Sequence, residues 1–277
     1  MVPLGTLARD FRREIREDAI GQGAAALAFY WMLALFPAAI FLLTLLAYLP
    51  VPNLERALMH FARTTLPDDA GALLSSFVDS VLLRKRGGLL SFGAVLTVWS
   101  TSSGVHALMH QLNVAWDVEE RRPFWKRRAV ALLLAMCSVL LVIGAFGLIV
   151  FGHALHLRHL RWLIVCVALL VGIALIYHYG PSVPRRFRLI TPGSVLALAV
   201  LIVASVGFQI FVSRVASFNI TYGSLGAAIT LMLWLYLAGW AILLGAELDA
   251  TLASYSRYSS GTAPAHHTAS PDSTGSP

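Results

Sequence analysis

Apolar residues fall in long blocks almost free of charge, separated by short polar segments. Six blocks are long enough to cross a bilayer, at about residues 24–49, 89–111, 129–151, 162–179, 194–213 and 223–250. At 1.5 Å rise per residue, about 20 apolar residues cover roughly 30 Å of hydrocarbon. Each block must be helical, because lipid offers backbone N–H and C=O groups no partner. The pattern predicts an all-α polytopic membrane bundle of six transmembrane helices, with the fourth the shortest.

Segments outside the blocks have patterns of their own. Residues 1–23 form an N-terminal amphipathic segment, with a helix predicted over 4–20. Leu7, Phe11 and Ile15 recur every four residues, and Arg9, Arg12, Arg13 and Arg16 occupy the rest of the wheel. Such a helix either lies in the membrane interface or packs on the bundle. The loop over 50–88 predicts two short external helices. The second starts at Pro67-Asp68-Asp69 and carries an apolar stripe from Leu73 to Leu82. Residues 251–277 read as a disordered cytoplasmic tail, rich in Ser, Thr, Pro, Gly and His from 259 onward.

Composition agrees with a membrane setting. Apolar residues make up 58% and charged residues 13%, against about 25% charged in a soluble domain. The mean hydropathy is +0.74. A soluble globule of this size cannot hide so much apolar surface in one core. The net charge of +7 comes from basic residues beside the apolar blocks, where they set topology and meet phospholipid headgroups. Nucleic acid is therefore not an expected partner. With both termini in the cytoplasm, 13 of the 21 Lys and Arg residues fall inside; Arg84, Lys85 and Arg86 dissent. The expected location is a bacterial inner (plasma) membrane. Residues 1–20 hold four arginines and four acids, too polar for the apolar core of a cleaved signal, so the first block is expected to remain as an anchor. Cys137 and Cys166 both lie in apolar blocks and read as packing residues.

Polar groups inside a span are costly and each needs a reason. The second block holds Thr97, Ser100, Thr101, Ser102, Ser103 and Gly104 near mid-membrane. Trp99, Ser102, His106, His110 and Asn113 step by three or four and share one helix face. Hydroxyls can be absorbed by i−4 carbonyls and small residues by close packing. The continuation into two histidines and an asparagine favours a polar lining, facing a cavity or another polar helix. Pro37 interrupts the first block, predicting either a static bend or a gating point. The last block opens with Tyr222-Gly223-Ser224-Leu225-Gly226 and closes with Gly245-Ala246-Glu247-Leu248-Asp249. Glu247 is expected to pair with Arg127, Arg128 or His110, or else to hold a proton or cation. Together these predict a pathway lined by Trp99, Ser100, Thr101, Ser102, Ser103, His106, His110, Asn113, Tyr222, Ser224 and Glu247. Pro37, Gly104, Gly223 and Gly226 are its hinges. His153, His156 and His159 have helical spacing but no acidic or thiolate company, so no metal is assigned. Enzyme motifs for nucleotides, zinc or serine nucleophiles are absent from the sequence.

Three segments resemble the YihY / virulence factor BrkB family of bacterial membrane proteins. They are Ala26-Leu27-Ala28-Phe29-Tyr30 with Leu35-Phe36-Pro37, then Trp99 to Val105 continuing to Leu112-Asn113, and Thr191-Pro192-Gly193 with Tyr222 to Ala227, Leu233 to Tyr236 and Gly245 to Ala250. The resemblance covers about residues 10–255. Asp249 stands where that family's pattern has asparagine. The resemblance implies a six-helix inner-membrane protein, and it connects the chain with export, envelope lipid traffic and resistance to host killing. The family once carried a ribonuclease label, which this sequence does not support. The expected function is a transporter or a lipid or small-molecule permease, against two alternatives: a non-transporting scaffold and, last, a membrane-bound hydrolase. No cofactor is expected. Expected partners are membrane lipids, an unidentified lipid or small-molecule substrate, and further copies of the same chain.

Overall fold

The computed structural model describes residues 4–48, 87–151, 160–183, 187–215 and 218–259. Among them are seven α-helices: α1 (Leu4–Glu17), α2 (Ile20–Tyr48), α3 (Gly87–Ala115), α4 (Phe124–Phe151), α5 (Leu160–Tyr179), α6 (Pro192–Val215) and α7 (Phe218–Ser259). Each of the six apolar blocks sits within one of α2 to α7, apart from residue 49. The expected helices over 50–88, the His153/His156/His159 cluster and residues 260–277 lie outside the described residues. So do the side chains of Tyr222 and Ser224.

Among the described residues, three helices are long and apolar enough to cross a membrane: α2 over Ile20–Ala38, α6 over Pro192–Ser213 and α7 over Ala228–Tyr255. A shorter apolar stretch, Leu163–Tyr179, lies in α5. The α6 stretch has a mean hydropathy of 2.7, yet only 6% of it is buried. Val203 and Ile229 are 72% and 60% exposed. Apolar faces left so open are stable only against lipid. The chain is a membrane protein.

Two boundaries differ from the sequence reading. The N-terminal helix ends at Glu17 rather than 20, because Ala19 takes a left-handed conformation with φ of 46°. The chain turns there, and Ile15 packs against the core. Thus α1 docks on the bundle, where Tyr255 of α7 donates its hydroxyl proton to Asp10. At the other end, α7 continues to Ser259 instead of giving way to a tail at 251. Contact with α1 and the Thr251 hydroxyl, bonded to the Glu247 carbonyl at 2.8 Å, carry it on.

Among the described residues, the buried core centres on Ile20, Leu27, Leu108, Leu112, Tyr177 and Leu243. Small residues bring the helices together there, as is usual where lipid supplies no hydrophobic drive between helices. Gly239 of α7 faces the Ala24 backbone of α2. Gly104 of α3 faces Trp31 of α2.

The tightest contact joins α6 to α7. Thr191 caps α6, its Oγ1 accepting from the Ser194 N–H at 3.0 Å, and Pro192 fills the first helical position. The next N–H, of Gly193, donates to Asp249 Oδ1 at 2.8 Å. A carboxylate at a helix N-terminus is stabilised by unpaired N–H groups and the helix dipole. A Cβ at Gly193 would collide with the Gly245 carbonyl and the Asp249 carboxyl. Gly193→Ala is therefore expected to destabilise the protein by about 1–3 kcal/mol through overpacking. Gly207→Ala, in open space on the same helix, is expected to be neutral or slightly stabilising. Thermal unfolding of both variants in detergent checks the pair; equal Tm values would show that the close approach is not needed.

Candidate functional site

The residues with chemistry fall into two groups. The first group is a staple between the α3–α4 and α5–α6 connections. Asn113, 4% exposed, donates from Nδ2 to Glu120 Oε2 at 3.0 Å and accepts at Oδ1 from the Ser182 N–H at 2.7 Å. Glu120 also accepts from the Arg122 N–H at 2.9 Å. The Arg122 guanidinium donates to the carbonyls of Tyr179 and Gly180, at 3.0 and 3.3 Å, and to that of Pro181. Burial works against the Glu120 charge, but the Arg122 N–H, the Asn113 amide and the Arg122 charge together hold its carboxyl below the usual value. Asn113 thus serves as a two-way bracket.

The second group is acidic. Glu247 of α7 is 2% exposed, and its carboxyl lies close to that of Asp18, in the α1–α2 elbow. Glu14 of α1 and Asp117, just beyond α3, add their charge to both. The expected basic partners are not there: no ion pair joins Glu247 to Arg127, Arg128 or His110 among the described residues. Among the described residues, Glu247 Oε2 is buried without a hydrogen-bond donor. Two carboxyls in contact share one proton, because two bare carboxylates repel at that range.

Backbone geometry singles out the same spot. The two non-glycine residues with positive φ among those described are Ala19, at 46°, and Asp117, at 49°. Asp117 ends α3 in a Schellman turn: the Val118 N–H reaches the Asn113 carbonyl at 3.0 Å, and its own N–H reaches that of Val114 at 2.9 Å. Glycine usually holds such a position. A left-handed non-glycine residue costs about 1 kcal/mol, so strain concentrates where the acids meet.

The predicted polar face of α3 divides in two. At about 100° per residue, Ser102 and Asn113 lie at one edge of the stripe and Trp99 and His110 at the other. Ser102 is fully buried, while Trp99 is 63% exposed and His110 is exposed. His106, between them, is half-buried. Ser100 and Thr101 are partly buried. Ser103 is bonded to the Trp99 carbonyl at 2.8 Å within its own helix. Thr97 donates to the carbonyl of Pro37 at 2.7 Å, so α3 grips α2 at its proline, and α2 runs on through it. Gly223 and Gly226 fall inside α7, where the Thr230 hydroxyl bonds to the Gly226 carbonyl at 2.7 Å. The structure therefore gathers Ser102, Asn113 and Glu247 inward and leaves Trp99 and His110 outside. Sequence reasoning missed Asp18 and Asp117. The run Glu14, Glu17, Asp18 on an otherwise arginine-rich segment was the available signal.

Among known proteins, the sequence profile described as "Virulence factor BrkB" matches residues 11–270. The chain belongs to the virulence factor BrkB family. Its similar members include the "Putative ribonuclease-like protein YfkH" of Bacillus subtilis (strain 168). That protein is 35% identical over 245 residues, covering 83% of this chain and 88% of the relative. A "UPF0761 membrane protein" of Xanthomonas oryzae pv. oryzae (strain PXO99A) is 28% identical over 254 residues, covering 88% of this chain. The chain spans 60% of the length of that longer relative. No solved structure matches.

Asp18 lies outside the membrane-crossing stretches and carries a pH prediction. Desolvation first, then the charges of Asp117 and Glu14, push its carboxyl up to about 6. A carboxyl raised on folding binds more protons folded than unfolded, so its contribution to stability falls as pH rises between about 4 and about 6. Asp18→Asn is expected to raise Tm by about 2–4 °C near pH 8 and to change it little near pH 4. Thermal melts in detergent across that window check this; an identical pH slope in wild type and variant would remove Asp18 from the linkage.

Proposed function

We propose that the protein is a six-span permease of the bacterial inner membrane, moving a lipid or small molecule without a chemical step. Both termini are cytoplasmic in this reading. The Asp18–Glu247 pair takes up and releases the coupling proton, and α2 and α3 form the moving wall. The observation that carries it is the buried acidic contact between α7 and the α1–α2 elbow, with its unmatched oxygen. Ionisable groups are retained at such depth at a cost, which function must offset. A carboxyl raised to about 6 exchanges its proton near neutral pH.

The topology has support of its own. The N-terminal helix, the α3–α4 connection, the α5–α6 connection and the end of α7 meet through Asp18, Asp117, Arg122, Gly193 and Asp249. A chain crossing the bilayer six times in alternating directions brings those four segments to one side, and they carry most of its basic residues.

One observation favours a second reading, a non-transporting scaffold: the Ser102 hydroxyl is sealed inside the bundle with no hydrogen-bond partner among the described residues. Flux separates the two. In proteoliposomes, flip of a fluorescent phosphatidylglycerol is read by dithionite quenching. Wild type is expected to accelerate it, and Ser100→Ala/Ser102→Ala/Glu247→Ala is expected to be slower by about tenfold, or about 1.4 kcal/mol on the barrier. Equal rates in the two would exclude this mechanism, and no flip by wild type would favour the scaffold.

A further inference from the structure

The start of α4 has an electrostatic problem. Its sequence, Phe124-Trp125-Lys126-Arg127-Arg128, places three cations and no acid at a helix N-terminus. That terminus already carries the positive end of the helix dipole, which favours anions and disfavours cations. Among the described residues, no carboxylate lies within ion-pair distance of Lys126, Arg127 or Arg128. The nearby acid Glu120 is committed to Arg122 and Asn113.

The second helix of the hairpin brings two imidazoles up to these cations. His106 and His110 of α3 lie close enough to interact with one another, and His106 also feels Arg127 and Arg128. The Arg128 guanidinium sits 4.5 Å from the centre of the exposed Trp99 ring. Arg127 stands 5.8 Å from the Phe124 ring. Planar cations held over aromatic faces are oriented for bidentate contact with a phosphate. Beside them runs an apolar outer surface: Val95, Leu133 and Leu140 are 68%, 51% and 62% exposed.

We propose that Arg127, Arg128, His106 and His110 seat the phosphate of one anionic phospholipid. Its acyl chains lie along the open faces of α3 and α4 beside Trp99. Charge complementarity selects the headgroup, and the adjoining apolar surface selects a lipid over a free anion. The site does not depend on transport; it stands if the protein is a scaffold.

Native mass spectrometry of the full-length protein tests it, with phosphatidylglycerol and phosphatidylcholine supplied together. Wild type is expected to retain phosphatidylglycerol over phosphatidylcholine by about tenfold, since basic residues at a membrane surface favour anionic headgroups. Arg127→Gln/Arg128→Gln is expected to bring the two lipids to near parity, with His106→Gln in between. Should the double variant lose its helical circular dichroism, Arg128→Gln alone gives the reading, with a partial loss expected. Excess inorganic phosphate is expected not to displace the lipid. Equal retention of the two lipids by wild type, or a preference that survives in folded arginine variants, would overturn the site. Displacement by phosphate would show a soluble-anion site instead.

Discussion

Buried carboxylates set the terms on which this bundle closes. Glu247 and Asp249 stand two residues apart on α7, so they point to nearly opposite sides of the helix. Both are shielded from water, and each needs a stabiliser that an apolar interior does not provide. Asp249 finds the N-terminus of α6 and accepts the Gly193 N–H. Glu247 meets Asp18 at the elbow where α1 turns into α2. One stretch of α7 thereby fixes α6 on one side and the α1–α2 elbow on the other. The helices of the core pack around that arrangement.

Small residues make these contacts reachable. Without a side chain at Gly193 and Gly245, α6 and α7 approach closely enough for the Asp249 carboxyl to reach the helix start. The segments Thr191-Pro192-Gly193 and Gly245 to Ala250, far apart in sequence, are two sides of this single contact. An asparagine at 249 could accept the same hydrogen bond through its side-chain oxygen, so the aspartate here leaves the geometry intact and adds charge to a site the helix dipole favours.

Much of the fold was legible because lipid imposes long apolar periods. The six apolar blocks fall on six helices, since the signal is length and charge exclusion rather than packing detail, although α7 runs nine residues past its block. The termini of α1 and α7 were less legible. Ala19 is a good helix former by propensity, yet it is the residue that turns left-handed, so only tertiary contact decides the break. The candidate site divided in the same way. Glu247 stood out as an acid near the end of an apolar helix. Its partner did not, because Asp18 belongs to a mixed-charge segment that reads as solvated. Opposite charge made Arg127 and Arg128 the obvious partners for Glu247. The structure instead points them at aromatic rings on the α3–α4 side. The stripe on α3 was one face by spacing, but its width straddles the line between bundle and lipid. Helical spacing fixes which residues are neighbours; it does not fix which neighbours are buried.

The position of α2 ties the two polar regions together. It starts one residue after Ala19, beside the acidic contact, and packs on α7 where Gly239 meets Ala24. Further along it meets α3, first where Trp31 fills the space over Gly104 and then where the Pro37 carbonyl takes the Thr97 hydroxyl. Proline has no N–H to close the preceding helical turn, so this interhelical bond lies where the helix is weakest. Asp18 and the left-handed Ala19 therefore stand at one end of a helix whose middle is gripped by α3. The strain at Ala19 lies where α1 turns into α2, next to Asp18 and just outside the helix itself.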